Sequence, residues 1–134
     1  MALTEAIRAA LVGLGLEPRV AAPLDGGSFA VWLVEAANNV SDPKSRGCAL
    51  ANAAVELPEK EHPARCVIEQ CKQTSRESLV GLCRRAGARQ PELLADQLFM
   101  LLEGALVCTQ STGHHGPACN FIDAGRAIVD AHLR

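Results

Sequence analysis

Two thiols and two imidazoles lie close together near the end of the sequence and are the residues best suited to metal chemistry. They are Cys108, His114, His115 and Cys119, and thiolate and imidazole are preferred ligands of zinc. Cys108 lies within an apolar run, however, and adjacent histidines do not easily bind one ion together. One buried thiol beside a solvated turn is the simpler interpretation, so we expect no cofactor. A metal- or thiol-responsive sensor is the alternative function.

The chain has six cysteines, an even number that in a small secreted domain would suggest disulfides. No secretion signal is evident, and most of the cysteines lie in apolar stretches, where a free thiol behaves as a small hydrophobic group. We therefore expect reduced thiols in a cytoplasmic protein. The side chains of Cys66 and Cys71 should diverge, because five residues along a helix rotate by about 140°.

Three polar residues recur every four positions beside an apolar stripe, namely Gln70, Thr74 and Ser78. They can either orient a small molecule in an apolar cavity or face solvent as spacers. Signatures of catalysis are missing from the sequence: it has no Gly-rich phosphate loop, no His-Glu-x-x-His, no Gly-x-Ser-x-Gly and no tyrosine. We expect a protein that is not an enzyme.

The composition indicates one domain with a substantial core. The 134 residues are 49% apolar and 3% aromatic, with a net charge of −2. No apolar run is long enough to span a membrane. Thirteen basic residues face fifteen acidic ones, and Arg84 and Arg85 form the only adjacent basic pair. A chain without a basic face is not expected to contact nucleic acid itself.

Apolar periodicity and the positions of proline and glycine predict an all-α fold. The segment 48–57 is apolar enough for a buried helix or a buried strand, but its four alanines favour a helix. We predict a loop over 17–27, Ser28 as an N-cap, and helices over 4–14, 29–39, 48–57, 63–86, 91–112 and 118–133. The helix at 91–112 has hardly any polar face and should be covered on nearly all sides, and the helix at 118–133 has two apolar stripes that need two partners. Both carry too much apolar surface for a monomer.

Several motifs resemble the effector domain of TetR/AcrR-type transcriptional regulators. They are Arg46-Gly47-Cys48, Asn52 to Leu57, His62-Pro63-Ala64-Arg65, and Ala95 to Ala105. The resemblance covers residues 44 to 133. It implies an all-helical ligand-binding domain whose last two helices form a four-helix bundle with those of a second subunit. The expectation of a homodimer therefore follows from both the resemblance and the apolar helices.

The resemblance also implies where the functional residues lie. A cavity is expected between the segment 48–57, the long helix at 64–86 and the helix from 91. Its predicted lining residues are Trp32, Asn52, Val67, Gln70, Cys71, Thr74, Phe99, Met100 and Glu103. The predicted dimer interface consists of Leu101, Gly104, Ala105, Phe121, Ala124, Gly125 and Ile128, of which the small residues would allow close helix approach.

Glu103 interrupts an apolar helix, and a buried carboxylate needs a partner. The expected effector is thus a small, moderately hydrophobic organic molecule, and a cationic one would suit Glu103. Alternatively, Glu103 reaches solvent or pairs with an arginine of the second subunit.

Residues 1–43 do not resemble the family, whose members begin with a DNA-reading helix-turn-helix. We therefore divide the chain into N-terminal helices and a Pro/Gly loop at 1–43 and a ligand-binding and dimerisation domain at 44–134, within one structural domain. Two alternatives remain open: a fragment of a longer regulator, or a chain without the DNA-binding half.

Overall fold

A computed structural model describes residues 29–133, and this part of the chain is all-helical, as predicted. Its helices are α1 (Phe29–Ser41), α2 (Ala49–Glu56), α3 (Pro63–Arg85), α4 (Pro91–Thr112) and α5 (Phe121–Leu133), with a 3₁₀ turn at Pro117–Asn120 before α5. The predicted helix at 4–14, the loop at 17–27 and the Ser28 N-cap lie outside the described residues.

The helix boundaries follow from local chemistry at the positions that the sequence indicated. Pro63 and Pro91 occupy the first turns of α3 and α4, where a missing N–H costs nothing. His62 caps α3, because its Nδ1 accepts a hydrogen bond from the Ala64 amide at 3.1 Å. Gly87 follows α3 and Gly113 follows α4, both with φ near +80°, a conformation that glycine adopts without strain.

Two predicted elements needed the structure to define them. The ambiguous segment 48–57 is a helix from Ala49 to Glu56. The predicted helix at 118–133 is shorter, since its first turn is the 3₁₀ segment and regular α-helix begins only at Phe121. A tight 3₁₀ turn is a common way for a chain to enter a helix.

Helix α4 is the central element and contacts α1, α3 and α5. Its Leu94 and Leu98 are fully buried, together with Cys83 of α3. On the other side of the core, the rings of Trp32 and Phe121 pack at a centroid distance of 6.4 Å. These contacts fix the helices around one apolar core, which sets the positions of the polar side chains at its edge.

Three ion pairs connect α3 to α4, which run antiparallel. Arg84 contacts Glu92, Arg76 contacts Asp96 at 2.5 Å, and Lys72 contacts Glu103 at 2.6 Å. The Arg84–Glu92 pair is exposed, and the Arg76–Asp96 pair is partly exposed, with 34% and 41% of the two side chains accessible. Ion pairs in such positions contribute little to stability. The Lys72–Glu103 pair is more enclosed, with 24% and 31% of the two side chains accessible.

One face of α4 remains uncovered in the protomer. Leu93, Met100 and Val107 are 47%, 64% and 58% exposed, and their spacing of seven residues places them on one side of the helix. We call these three residues the α4 apolar face. Helices α1, α3 and α5 pack against the other sides of α4. Coverage of α4 on nearly all sides therefore needs a contact beyond those within residues 29–133, and it stays a prediction. No helix in the described range is both long and apolar enough to cross a membrane.

Candidate functional site

The loop before α2 is fixed between two helices. The Arg46 carbonyl accepts hydrogen bonds from the Asn52 Nδ2 at 2.8 Å and from the Gln110 side chain of α4. Gly47 has φ +82°, and a Cβ there would lie 2.5 Å from the Gln110 side chain. Glycine adopts this φ without strain, and its missing Cβ leaves room for the Gln110 side chain. The Arg46-Gly47-Cys48 motif therefore attaches α2 to α4.

A second motif attaches α2 to α3. Arg65 lies in the first turns of α3, and its Nη1 donates a 2.6 Å hydrogen bond to the Ala54 carbonyl near the end of α2. An open groove of about 240 Å³ lies beside this contact, lined by Ala54, Lys60, Arg65, Ile68 and Glu69. The motif residues thus hold α2 in place rather than projecting into a closed cavity.

These attachments bring four side chains together where α2, α3 and α4 meet. Lys72 Nζ lies 2.9 Å from Cys48 Sγ and 2.6 Å from Glu103 Oε1, and it donates to both. The same ammonium lies 5.5 Å from the centre of the Phe99 ring, within the range of a cation–π interaction. We call Cys48, Lys72, Phe99 and Glu103 the junction site.

The electrostatics of the junction site are dominated by Lys72. Burial lowers the pKa of its ammonium, but the hydrogen bonds to Cys48 and Glu103, with the attraction of both groups, raise the pKa above its ordinary value overall. Lys72 therefore stays charged at neutral pH. The carboxylate of Glu103 has its partner within the same protomer.

The structure places the predicted lining residues in three different environments. Trp32 is buried in the core against Phe121. Asn52, Gln70, Thr74 and Met100 are exposed, whereas Val67, Cys71, Phe99 and Glu103 are half-buried. The junction site thus includes two of the predicted residues, Phe99 and Glu103.

Sequence reasoning missed Cys48 and Lys72. The apolar pattern places Cys48 in a buried segment and does not mark Lys72, although Lys72 is the single lysine of α3 and follows the predicted Cys71. That one lysine at the edge of an apolar stripe was the available signal. Its partners Cys48 and Glu103 are 24 and 31 residues away in the sequence, so only the fold shows the cluster.

The predicted interface residues are divided between the protomer core and its surface. Ala105, Phe121 and Gly125 are buried within the protomer, and a Cβ at Gly125 would lie 2.5 Å from Leu33 Cδ2. Leu101, Ala124 and Ile128 are half-buried. Gly104 is exposed, has no neighbour within 4 Å of a built Cβ, and lies beside the α4 apolar face.

The four candidate metal ligands do not form a cluster. Cys119 is exposed, Cys108 is half-buried, and His114 Nδ1 is buried without a hydrogen-bond partner. Between residues 29 and 133, no three His, Cys, Asp or Glu side chains are arranged to hold a metal ion. The cysteines of this range are all free thiols.

Comparison with known proteins gives one informative similarity. No family model and no curated protein matches the sequence. The structure is similar to the crystal structure of a Streptomyces avermitilis protein proposed to be a TetR-type transcriptional regulator, with a TM-score of 0.68 and 26% sequence identity. The similarity covers 97% of this chain and 70% of that chain, which is more than the segment 44 to 133 indicated by the motifs. The resemblance predicted from the sequence is thereby confirmed: this chain has the all-helical fold of a TetR-type transcriptional regulator.

Proposed function

We propose that this chain is the ligand-sensing and dimerisation domain of a TetR-like regulator that acts in the cytoplasm without catalysing a reaction. The observation that supports this proposal is the junction site. Three helices converge there on a half-buried Lys72–Glu103 ion pair beside an aromatic ring. Ligand sites characteristically combine apolar walls with a few polar groups that fix orientation.

The proposed effector is a small, mostly hydrophobic organic molecule. Val67, Cys71 and Phe99 provide half-buried, weakly polar or apolar surface, and the ion pair provides one charge of each sign. A hydrophobic amine would take the place of Lys72 at the Glu103 carboxylate. A hydrophobic acid would instead displace Glu103 from the Lys72 ammonium. Because both charges remain partly exposed, either exchange is possible without unfolding the core.

A thermal-shift screen of hydrophobic amines, acids and neutral compounds tests this site. A ligand that binds only the folded state stabilises it by about 2.7 kcal/mol at a hundred times its Kd, so a melting temperature rises measurably. We expect amine hits to be lost in Glu103→Gln and acid hits to be lost in Lys72→Met. Glu77→Gln is the matched control, because Glu77 is an exposed glutamate whose partner is the exposed Gln73.

The outcomes separate the alternatives. Hits that persist undiminished in both junction variants would remove the ion pair from the ligand site. Hits that are lost equally in Glu77→Gln would indicate a general effect of net charge. The absence of any hit would leave a dimerisation module as the more economical function.

We further propose that the chain is a homodimer. The α4 apolar face and the adjacent exposed Gly104 offer an uncovered surface on one of the two helices that pair in TetR-type dimers. Small residues between apolar ones allow helices to approach closely.

A further inference from the structure

Cys48 differs from the other described cysteines in its surroundings. Its sulfur accepts a hydrogen bond from the Lys72 ammonium at 2.9 Å. Cys83 is fully buried, and burial raises the pKa of its thiol to about 11. Burial also raises the pKa of the Cys71 thiol. Cys66 and Cys119 are exposed.

A cysteine with a cation at its sulfur is chemically distinct from an isolated thiol. The thiolate is the form that attacks a peroxide, and an ammonium at hydrogen-bond distance from the sulfur stabilises the hydroxide that leaves when the O–O bond breaks. Cys48 is half-buried rather than enclosed, so a small oxidant can reach it. The nitrogen of Lys72 already lies close enough to react with the sulfur after a small movement of its flexible side chain.

We propose that Cys48 and Lys72 form an oxidation-sensitive pair, in which a hydroperoxide converts Cys48 to a sulfenic acid that then condenses with Lys72 Nζ. The product is a covalent sulfur–nitrogen bond between α3 and the start of α2. This inference is independent of which effector, if any, binds at the junction site.

The atoms and protons of both steps balance within the cluster. The Cys48 thiolate attacks one peroxide oxygen, the O–O bond breaks, and the sulfur is oxidised by two electrons while the peroxide is reduced. The Lys72 ammonium gives a proton to the leaving hydroxide, which departs as water and leaves a neutral amine. That amine then attacks the sulfur, the S–O bond breaks, and the hydroxide leaves as a second water with the proton from nitrogen.

Oxidation would also change the charge distribution between α3 and α4. The nitrogen bonded to sulfur no longer carries the positive charge that pairs with Glu103. A half-buried carboxylate would then lack its cation, which is unfavourable in a partly desolvated position. The covalent bond thus makes the contacts among α2, α3 and α4 sensitive to oxidant.

Peptide mapping of the full chain after treatment with hydrogen peroxide tests the proposal. We expect a cross-link between the tryptic peptide 47–60, which contains Cys48, and the peptide 66–76. The peptide 66–76 retains an uncut bond after Lys72, because trypsin does not cleave after a modified lysine. A disulfide from Cys48 to Cys66 or Cys71 lowers the mass by the same two hydrogens, but trypsin then cleaves the peptide bond after Lys72 normally. The cross-link should persist in the Cys66→Ser and Cys71→Ser variants and disappear on reduction.

The rate of sulfenic acid formation at each cysteine provides a second readout in the unmodified sequence. A cyclic diketone traps the sulfenic acid so that the rate can be measured. Cys48 should react faster than the exposed Cys66. Lys72→Met should slow the reaction of Cys48 about tenfold or more, because it removes the cation that lies at the sulfur and stabilises the leaving hydroxide. Lys72→Arg should retain most of the rate because the charge remains, but it should form no cross-link. Circular dichroism of each variant verifies that the helices are intact.

Three results would overturn the inference. One is a Cys48 that reacts no faster than Cys66 in the unmodified sequence. Another is an unchanged Cys48 rate in a folded Lys72→Met variant. The third is cross-linked product in which the chain is cleaved normally after Lys72.

Discussion

Replacing Met100 by glutamate should separate the proposed dimer without unfolding the protomer. Met100 lies at the middle of the α4 apolar face and is 64% exposed in the protomer. An exposed position away from the core tolerates substitution within about 0.5 kcal/mol. Leu101 and Ile128 are less suitable for this test, because both pack partly against the core. Met100→Glu therefore distinguishes loss of association from loss of folding.

The magnitude follows from the area that association would cover. Full burial of a methionine side chain contributes about 1.5 to 3 kcal/mol, so covering the exposed 64% contributes about 1 to 2 kcal/mol per protomer. A symmetric dimer loses this contribution twice, or about 3 kcal/mol in total. Since 1.4 kcal/mol is a factor of ten in affinity, the Kd should rise about a hundredfold. The buried carboxylates add to this loss.

Sedimentation equilibrium over a range of protein concentrations measures the effect, with circular dichroism melting as the check on folding. Ser75→Glu is the matched control, because it introduces the same charge at an exposed position of α3. It should leave the Kd unchanged. The interface would be misplaced if Met100→Glu dimerised with a Kd within about threefold of the unmodified protein. A monomeric unmodified chain at tens of micromolar would refute the dimer itself.

Two further predictions concern stability. In the Met100→Glu background, where the proposed dimer is separated, Gly104→Ala should raise the free energy of unfolding by about 1 kcal/mol, because alanine is the better helix former and the Cβ meets no atom of the protomer within 4 Å. Gly125→Ala should lower the free energy of unfolding by about 1 kcal/mol, because its Cβ would lie 2.5 Å from Leu33 Cδ2 in the core. Urea denaturation measures both changes. If both substitutions changed the free energy of unfolding in the same direction, the packing described for the two glycines would be contradicted. Hydrogen bonds from Arg76 and Arg84 lower the pKa values of Asp96 and Glu92 from 3.8 and 4.5. The two ion pairs stabilise the folded state at pH values above the unfolded pKa values of these carboxyl groups, and this stabilisation is lost as the pH falls through their lower folded pKa values. Asp96→Asn should therefore flatten the pH dependence of the urea midpoint below about pH 4.

Much of the helical architecture could be predicted from local sequence. Pro63 and Pro91 marked helix starts and Gly87 and Gly113 marked ends, because these signals depend on backbone geometry within a few residues. The alanines of 49–54 correctly favoured a helix over a strand. The tight 3₁₀ turn before Phe121 was not predicted, since 3₁₀ and α-helix share nearly the same backbone angles.

The candidate site was only partly predictable for a different reason. Glu103 was recognised because it interrupts an apolar helix, and Phe99 was one of the lining residues that the family resemblance implied. The partners Lys72 and Cys48 lie on other elements, and their positions depend on how α2 and α3 dock on α4. The same applies to the motif residues: Gly47 and Arg65 were noticed as a family pattern, whereas their roles in holding α2 became apparent only from contacts with Gln110 and Ala54.

The sequence by itself determined the all-α class, most helix boundaries and the excess of apolar surface on α4, because these follow from periodicity and from the conformational limits of proline and glycine. Only the tertiary structure decided which apolar residues face the protomer core and which remain exposed. It buries Ala105, Phe121 and Gly125 and leaves Leu93, Met100 and Val107 uncovered. The tertiary structure also decided that Glu103 pairs with Lys72 of its own chain. Both outcomes depend on long-range packing, which periodicity along one helix does not encode.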